Sequence, residues 1–435
     1  MTRANIPSSL WYRRIDSAWL GVPLLLLWRL LDACIPKRLD YWAFFAHPLK
    51  PDQLIENARA VYERIHNDPQ VECTVFHRGG CAPDELAADG RTRVLELASL
   101  AGLWALARCG VLMLTNSTAM DMSLAWRNGR FAAPRVALHR RVVVNLWHGI
   151  PLKRLFALAN PEQRRHGDRN RSRRRERAHY DGLIASSDID SHAMAAIFHP
   201  IPPSRVWVTG LPRNDFLRMP EAELPRALAG DLQRLRAMCR GRRLLLYAPT
   251  YRDASVADTL GYSFNEHEIA QLRQLLHHRG AVLGMRSHYL ANGPDAFPAH
   301  SHGDEDWLLD VGHQSFPEIA PLLRECQLVV TDYSSVYIDA LCIDRPVIAF
   351  AHDLDHYRMH QNGLLYDMEL AFPGPVTRDF KEFFAAVDLM LSGSCTEFDE
   401  RYKLTKRMFF AHDDGANSQR VIERTRALID ARRSR

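Results

Sequence analysis

Apolar and polar positions fall into two successive series along this chain. Apolar residues at 54, 55, 58, 61 and 65 have helical spacing and predict a helix over 54–65, followed by a strand at 71–76. An apolar stripe predicts a helix over 94–107. Short apolar runs predict strands at 111–114, 141–147, 183–186 and 206–209, with a helix near 191–198. The segment 222–240 reads as a helical bridge. A second series follows it, with strands at 244–248, 282–285, 328–330 and 346–350 and helices over 266–278, 317–324 and 336–341. Strands alternating with helices imply parallel sheets, with functional groups at the strands' C-terminal ends. The expectation is an α/β chain of two Rossmann-like domains facing a cleft, 36–221 and 242–435, joined by a linker helix over 222–241. No repeat of fixed period is present.

Four predicted strand ends carry polar clusters. In the first series Trp147-His148-Gly149 closes the 141–147 strand. In the second series the ends are Thr250 with Arg252, Arg286 with His288, and Thr331-Asp332-Tyr333-Ser334-Ser335. Hydroxyl and carboxylate groups before a helix fit anion binding, because the first helical N–H groups are unpaired and the helix dipole favours negative charge. The same residues also serve as ordinary N-caps. Histidine titrates near neutrality and can take a proton from an attacking hydroxyl, and arginine can fork onto phosphate oxygens. One histidine per domain at a strand end suits transfer between two substrates.

The N-terminus changes the picture of location. The segment 18–28, AWLGVPLLLLW, is apolar but is followed by Arg29 and Asp32, and it is shorter than the roughly twenty residues that span a bilayer. Arg13 and Arg14 precede it, but no small-x-small cleavage site follows. Trp11, Tyr12, Trp19 and Trp28, flanked by Arg29, Lys37 and Arg38, predict a membrane-associating interfacial helix over 1–35. The alternative is a helix packed on its own domain.

Apolar residues make up 47% of the 435, enough for large cores, and the net charge is only +5. That charge is uneven: 164–177, RRHGDRNRSRRRER, is a dense basic block. It reads as a solvated face or as a surface for a polyanion or an anionic membrane. Nucleic acid is not expected, because no aromatic residues interleave with the arginines. The eight cysteines (34, 73, 81, 109, 239, 326, 342 and 395) are scattered without a CxxC pair, which fits a reducing compartment. His352, His356 and His360 stand four apart without an acidic or thiol partner at a diagnostic spacing, so no metal site is expected. The chain has no GxxxxGK[ST] loop, no GxGxxG after a strand and no GxSxG elbow.

The motifs taken together resemble a known family. Asn145 to Lys153, NLWHGIPLK, resembles the WHGTPLK motif of the CDP-glycerol glycerophosphotransferase family, which includes teichoic-acid primases and polymerases and related capsule polymerases. TGLPRND at 209–215 resembles its GxPRND segment, YAPTYR at 247–252 its YAPTWR segment, and TDYSS at 331–335 its TDYSS motif. Asp339, Pro346, Asp353 and Tyr357 continue the match, and Asp414-Gly415 resembles a late DG. Departures are Ile150 for Thr, Tyr289 for Pro, and Gln327 for Asp.

The resemblance implies a GT-B fold with the donor nucleotide held mainly by the C-terminal domain. It implies transfer of an alditol phosphate, glycerol phosphate first, from CDP-glycerol or CDP-ribitol to a hydroxyl of a lipid-linked or polymeric acceptor. CMP leaves, and no bound cofactor is required. His148 is expected as general base, with Gly149, Lys153, Arg213 and Asp215 on the acceptor side. His288 is expected on the leaving phosphate, with Thr250, Arg252, Arg286, Thr331, Asp332, Ser334 and Ser335 around the donor. The expected place is the cytoplasmic face of the plasma membrane, as a peripheral protein. Two other readings remain open: a GT-B glycosyltransferase using a nucleotide sugar, and a non-catalytic membrane-bound scaffold.

Overall fold

The computed structural model of the chain describes residues 18–50, 52–78, 83, 86, 92–127, 130–161, 170–250, 261–286, 306–393 and 400–434. Its apolar runs form two parallel sheets. The first contains β1 (Arg38–Phe45), β2 (Glu72–His77), β3 (Arg93–Glu96), β4 (Cys109–Leu114), β5 (Val142–Asn145), β6 (Gly182–Ala185) and β7 (Val206–Val208), in the order β3-β2-β1-β4-β5-β6-β7. The second contains β8 (Arg243–Tyr247), β9 (Ala281–Met285), β10 (Leu308–Asp310), β11 (Cys326–Thr331), β12 (Val347–Phe350) and β13 (Val376–Thr377), in the order β10-β9-β8-β11-β12-β13. Every pairing in both sheets is parallel. Strand order therefore reverses between β1 and β4 and again between β8 and β11, the switch points where such sheets hold ligands.

The expected bridge is the helix Arg226–Cys239, which packs on the helix Ala320–Glu325. One continuous apolar core runs from the first sheet (Trp42, Val111, Val144) through Leu228, Leu232 and Leu235 to the second (Leu246, Val329, Tyr333). The chain expected as one unit over 242–435 does not stay in one place. Its last helix, Asn417–Arg433, returns to the first domain and packs on the helix Glu56–Ile65 and the Pro212–Asn214 turn. Asp215 fixes this return by accepting from the N–H groups of Asn417 (3.0 Å) and Ser418 (2.8 Å). Gly210 permits it: φ is +76°, and a Cβ there would lie 2.0 Å from Asn417 Oδ1.

The helix expected over 94–107 is split. Residues Arg93–Glu96 pair with β2 as an edge strand, and the helix proper is Leu100–Arg108, capped by Ser99. The helix Ala18–Cys34 is docked by one face. Trp28 is buried, and the Asp32 carboxylate accepts from Arg141 Nη1 (3.0 Å), Lys37 Nζ (3.1 Å) and the Ala137 N–H (2.6 Å). Burial pushes this carboxyl up, but Arg141 and Lys37 outweigh it and hold it below the usual carboxylate value. Among the described residues no helix is long and apolar enough to cross a membrane, and the six described cysteines are unbridged.

Candidate active site

The 141–147 run places His148 by a strained turn. Trp147 has φ +47° although it is not glycine, and its N–H donates to Asn145 Oδ1 (2.9 Å), while Asn145 Nδ2 donates to the Asn116 carbonyl (2.7 Å). Gly149 follows at φ +151°. The turn brings the His148 ring against Trp147, tilted by 34° with 3.8 Å between centroids. Its Nδ1 faces the Thr115 carbonyl at 3.4 Å; a carbonyl only accepts, so Nδ1 carries the proton and Nε2 keeps its lone pair.

The His148 side chain is exposed, although protein atoms crowd around the ring and partly desolvate it. That desolvation pushes its pKa down from 6.5, opposed by the carboxylate of Glu56 and by the Thr115 carbonyl. Asp121 shapes the same end of β4 by accepting from the N–H groups of Thr115 (2.8 Å) and Asn116 (2.9 Å).

The two domains meet at this turn. A Cβ built on Gly149 would lie 3.5 Å from Ser335 Oγ and 3.1 Å from Arg213 Nη2. The TDYSS segment and the His148 turn thus approach each other closely across the cleft. Arg213 ties them together: Nη1 donates to the His148 carbonyl (2.8 Å) and Nη2 to Asp339 Oδ2 (2.5 Å). Asn57 completes the tie by accepting from the Arg213 N–H (3.0 Å) and donating to the carbonyls of Leu146 (2.9 Å) and Trp147 (3.1 Å). Burial works against both charges of the ion pair, and the contact with Asp339 holds the Arg213 guanidinium above the usual arginine value.

The other expected residues divide into two groups. Thr250 follows the end of β8, Ser334 and Ser335 follow the end of β11, and Lys153 follows the His148 turn. Thr250 Oγ1 is buried and finds no hydrogen-bond partner among the described residues. Ser334 Oγ accepts only weakly from the Val336 N–H (3.4 Å). Lys153 Nζ lies 5.8 Å above the Tyr357 ring, which stacks on Tyr333 at 3.9 Å.

The second group is engaged within the protein. Asp332 accepts from the N–H groups of Thr250 (2.7 Å) and Tyr333 (2.6 Å), joining the ends of β8 and β11. Thr331 Oγ1 donates to the Ala248 carbonyl (2.7 Å). Arg286 Nη1 donates to the carbonyls of Val311 (3.0 Å) and Phe316 (2.9 Å), and Nη2 meets His313 Nδ1 (3.1 Å). These three, together with Arg213 and Asp215, shape the site rather than face it. Arg252 and His288 lie outside the described residues.

No sequence motif marks the charged floor that lies between the domains. Glu56, at φ +59°, donates its N–H to Glu318 Oε1 (2.6 Å), and Lys50 Nζ donates to the His313 carbonyl (2.7 Å). Burial pushes His47 down to about 4, Lys50 down to about 8 and Glu318 up to about 7. Perturbed groups gathered in a cleft mark functional sites. His47 follows the end of β1, so recognising that strand would have exposed it.

The model of the CDP-glycerol:poly(glycerophosphate) glycerophosphotransferase family matches residues 40–426. The chain is 27% identical over 288 residues to the teichoic acid glycerol-phosphate transferase of Staphylococcus aureus (strain NCTC 8325 / PS 47), covering 65% of this chain and 71% of that one. It is 25% identical over 412 residues to the teichoic acid ribitol-phosphate primase of Bacillus spizizenii (strain ATCC 23059 / NRRL B-14472 / W23), covering 91% and 93%. The structure of the wall teichoic acid polymerase TagF superposes with a TM-score of 0.71 at 19% identity, covering 97% of this chain and 98% of that one. The two facing parallel-sheet domains are GT-B-like.

Proposed function

Because the chain belongs to the CDP-glycerol:poly(glycerophosphate) glycerophosphotransferase family, we infer that it moves an alditol phosphate from a CDP-activated donor to an acceptor hydroxyl in envelope-polymer synthesis. The observation that carries this reading is the close approach of the His148 turn and the TDYSS segment across the interdomain cleft, tied by Arg213 to the His148 carbonyl and to Asp339. His148 Nε2 takes the proton of the attacking hydroxyl. The hydroxyl oxygen bonds to the phosphorus distal to cytidine, the bond from that phosphorus to the CMP oxygen breaks, and CMP leaves. Thr250, Ser334 and Ser335 hold diphosphate oxygens; His288 and Arg252, outside the described residues, keep the donor roles that the family resemblance implies. Glu56 stabilises the His148 imidazolium. Phosphoryl transfer needs mainly such positioning and charge stabilisation. CDP-glycerol is the first donor to try and CDP-ribitol the second, since relatives of both kinds match. Presenting both CDP-alditols and a panel of nucleotide sugars to the purified protein tests the reading. CMP from a CDP-alditol supports it, whereas a nucleoside diphosphate from a sugar donor moves the chain to glycosyl transfer.

The protein works at an anionic membrane surface, on its cytoplasmic face, without spanning it. Supporting this, Leu26, Leu27, Leu30 (67% exposed) and Leu31 face outward from the docked N-terminal helix, beside Leu100 (84%) and Trp104 on the helix it contacts. Such a contiguous apolar face marks an interaction surface. Replacing Leu27, Leu30 and Trp104 together by serine lowers binding to anionic vesicles about tenfold or more in sedimentation. Unchanged sedimentation contradicts the membrane assignment.

A further inference from the structure

The His148 ring meets a peptide group whose other side rests on a buried carboxylate. After β4 the chain turns through Thr115 and Asn116 into the short helix Thr118–Asp121, capped by the Ser117 hydroxyl. The turn folds Asp121 back onto the residues before it, where it is 1% exposed. Its Oδ2 accepts from the N–H groups of Thr115 (2.8 Å) and Asn116 (2.9 Å). Its Oδ1 accepts from the Thr115 hydroxyl (3.3 Å) and from Asn116 Nδ2 (3.2 Å). The Asn116 N–H and the Thr115 carbonyl belong to one peptide group, and in a trans peptide they point in opposite directions. Asp121 therefore holds the N–H side of this group, and His148 Nδ1 faces its oxygen at 3.4 Å.

Hydrogen bonds in series polarise one another, so a carboxylate on the N–H makes the carbonyl of the same group a stronger acceptor. A second route runs from the same carboxylate to the base. It fixes Asn116, whose carbonyl accepts from Asn145 Nδ2 (2.7 Å), and Asn145 Oδ1 accepts from the Trp147 N–H (2.9 Å). Burial pushes the Asp121 carboxyl up to about 6, opposed by its N–H donors and by Arg78, so it is an anion at neutral pH. Arg78 gives its own hydrogen bonds to the carbonyls of Met120 (2.9 Å), Ala46 (2.8 Å) and His47 (2.8 Å). Glu176 faces the same turn and accepts from the Thr118 N–H (2.8 Å) and the Tyr180 hydroxyl (2.6 Å). Around His148 itself, Glu56 raises the proton affinity of the ring, Arg213 lowers it, and His47 is close enough to feel its charge.

We propose that Asp121 is a positioning residue for the general base and acts through the Thr115–Asn116 peptide group, holding His148 as the Nδ1–H tautomer and strengthening Nε2 as a base. The proposal rests on the assignment of His148 as the base and adds what orients and tunes it. When Nε2 takes the proton of the attacking hydroxyl, the ring becomes a cation whose Nδ1–H donates to the Thr115 carbonyl. The carboxylate stabilises that cation from the far side of the peptide group and takes up no proton itself. An aspartate in direct contact with the ring would raise its proton affinity further and leave less free base at neutral pH. The peptide spacer gives a smaller rise, which offsets part of the lowering by desolvation.

Nitrogen-15 spectra of the full chain labelled in histidine test the proposal without donor or acceptor, with His148 assigned by its absence in His148→Gln. In the wild type the neutral ring carries its proton on Nδ1. In Asp121→Asn the His148 pKa falls by about 0.5 or more, because the anion that favoured the imidazolium is gone. The acid limb of kcat/KM moves down with it, and kcat falls about tenfold. Asp121→Ser removes the charge with a smaller side chain and gives the same shift where the amide is not tolerated. A merely structural Asp121 lowers the thermal midpoint and leaves the His148 pKa in place. A proton on Nε2 in the wild type, or an unmoved pKa in either folded variant, overturns the proposal. A lowered pKa with kcat unchanged keeps the link from Asp121 to the ring and overturns His148 as the base instead.

Discussion

His148→Ala lowers turnover by about a hundredfold or more, close to 2.7 kcal/mol of transition-state stabilisation, while the KM for donor changes little. The ring sits at the tip of the strained turn with Nδ1 toward the Thr115 carbonyl, so Nε2 is the atom that meets the acceptor. His148→Gln keeps a polar side chain there but supplies no base, and falls as far. The pH profile gives an independent readout. Desolvation lowers the His148 pKa below 6.5, so the acid limb of kcat/KM lies below that value: activity is lost as pH falls through the lowered pKa and the base becomes protonated. Glu56→Gln removes the opposing charge and moves this limb lower still. Steady-state kinetics of these variants checks each outcome. Near-wild-type turnover in His148→Ala contradicts the assigned role.

Arg213→Ala has the largest expected effect on stability, about 3–5 kcal/mol, because it leaves the Asp339 carboxylate buried and unpaired. It also releases the His148 carbonyl and so loosens the turn that aims the base. Activity therefore falls together with the thermal midpoint. Arg213→Lys keeps a charge but loses the fork and recovers only part of either. Replacing both partners, Arg213→Met with Asp339→Leu, costs less stability than Arg213→Ala alone, since no uncompensated charge remains. Thermal unfolding followed by circular dichroism, with the double-mutant comparison, checks this. A Tm shift no larger than that of a surface substitution contradicts the account of the pair.

Much of the site was legible because apolar runs ended abruptly in polar clusters. The runs before His148, Thr250, Arg286 and Thr331 are β5, β8, β9 and β11, and their ends lie on the cleft side. What was not legible falls into three physical kinds. Strand β1 is a central parallel strand buried on both faces, so Tyr41-Trp42-Ala43-Phe44-Phe45 shows no alternation, and with it His47 escaped notice. Ties between residues far apart in sequence have no local signature, whether between the domains, as Arg213 to Asp339, or within the first, as Asn57 to Arg213. Residues read as ligand-facing turned inward where the backbone needed partners, as Asp332, Thr331, Arg286 and Asp215 do. The basic block is the reverse case. Its arginines read as a solvated face or as a surface for a polyanion or an anionic membrane, yet Glu176 anchors one end of it beside His148.

The most direct measurement pairs the two products of a single turnover: the nucleotide released from CDP-glycerol, and the mass added to a lipid-linked acceptor. Attack at the distal phosphorus gives CMP together with an acceptor heavier by one glycerol phosphate, and both rise together in the wild type and are lost in His148→Ala. CDP together with an acceptor heavier by glycerol alone would show that a carbon had been attacked instead, and the roles assigned to His148 and the TDYSS segment would not stand.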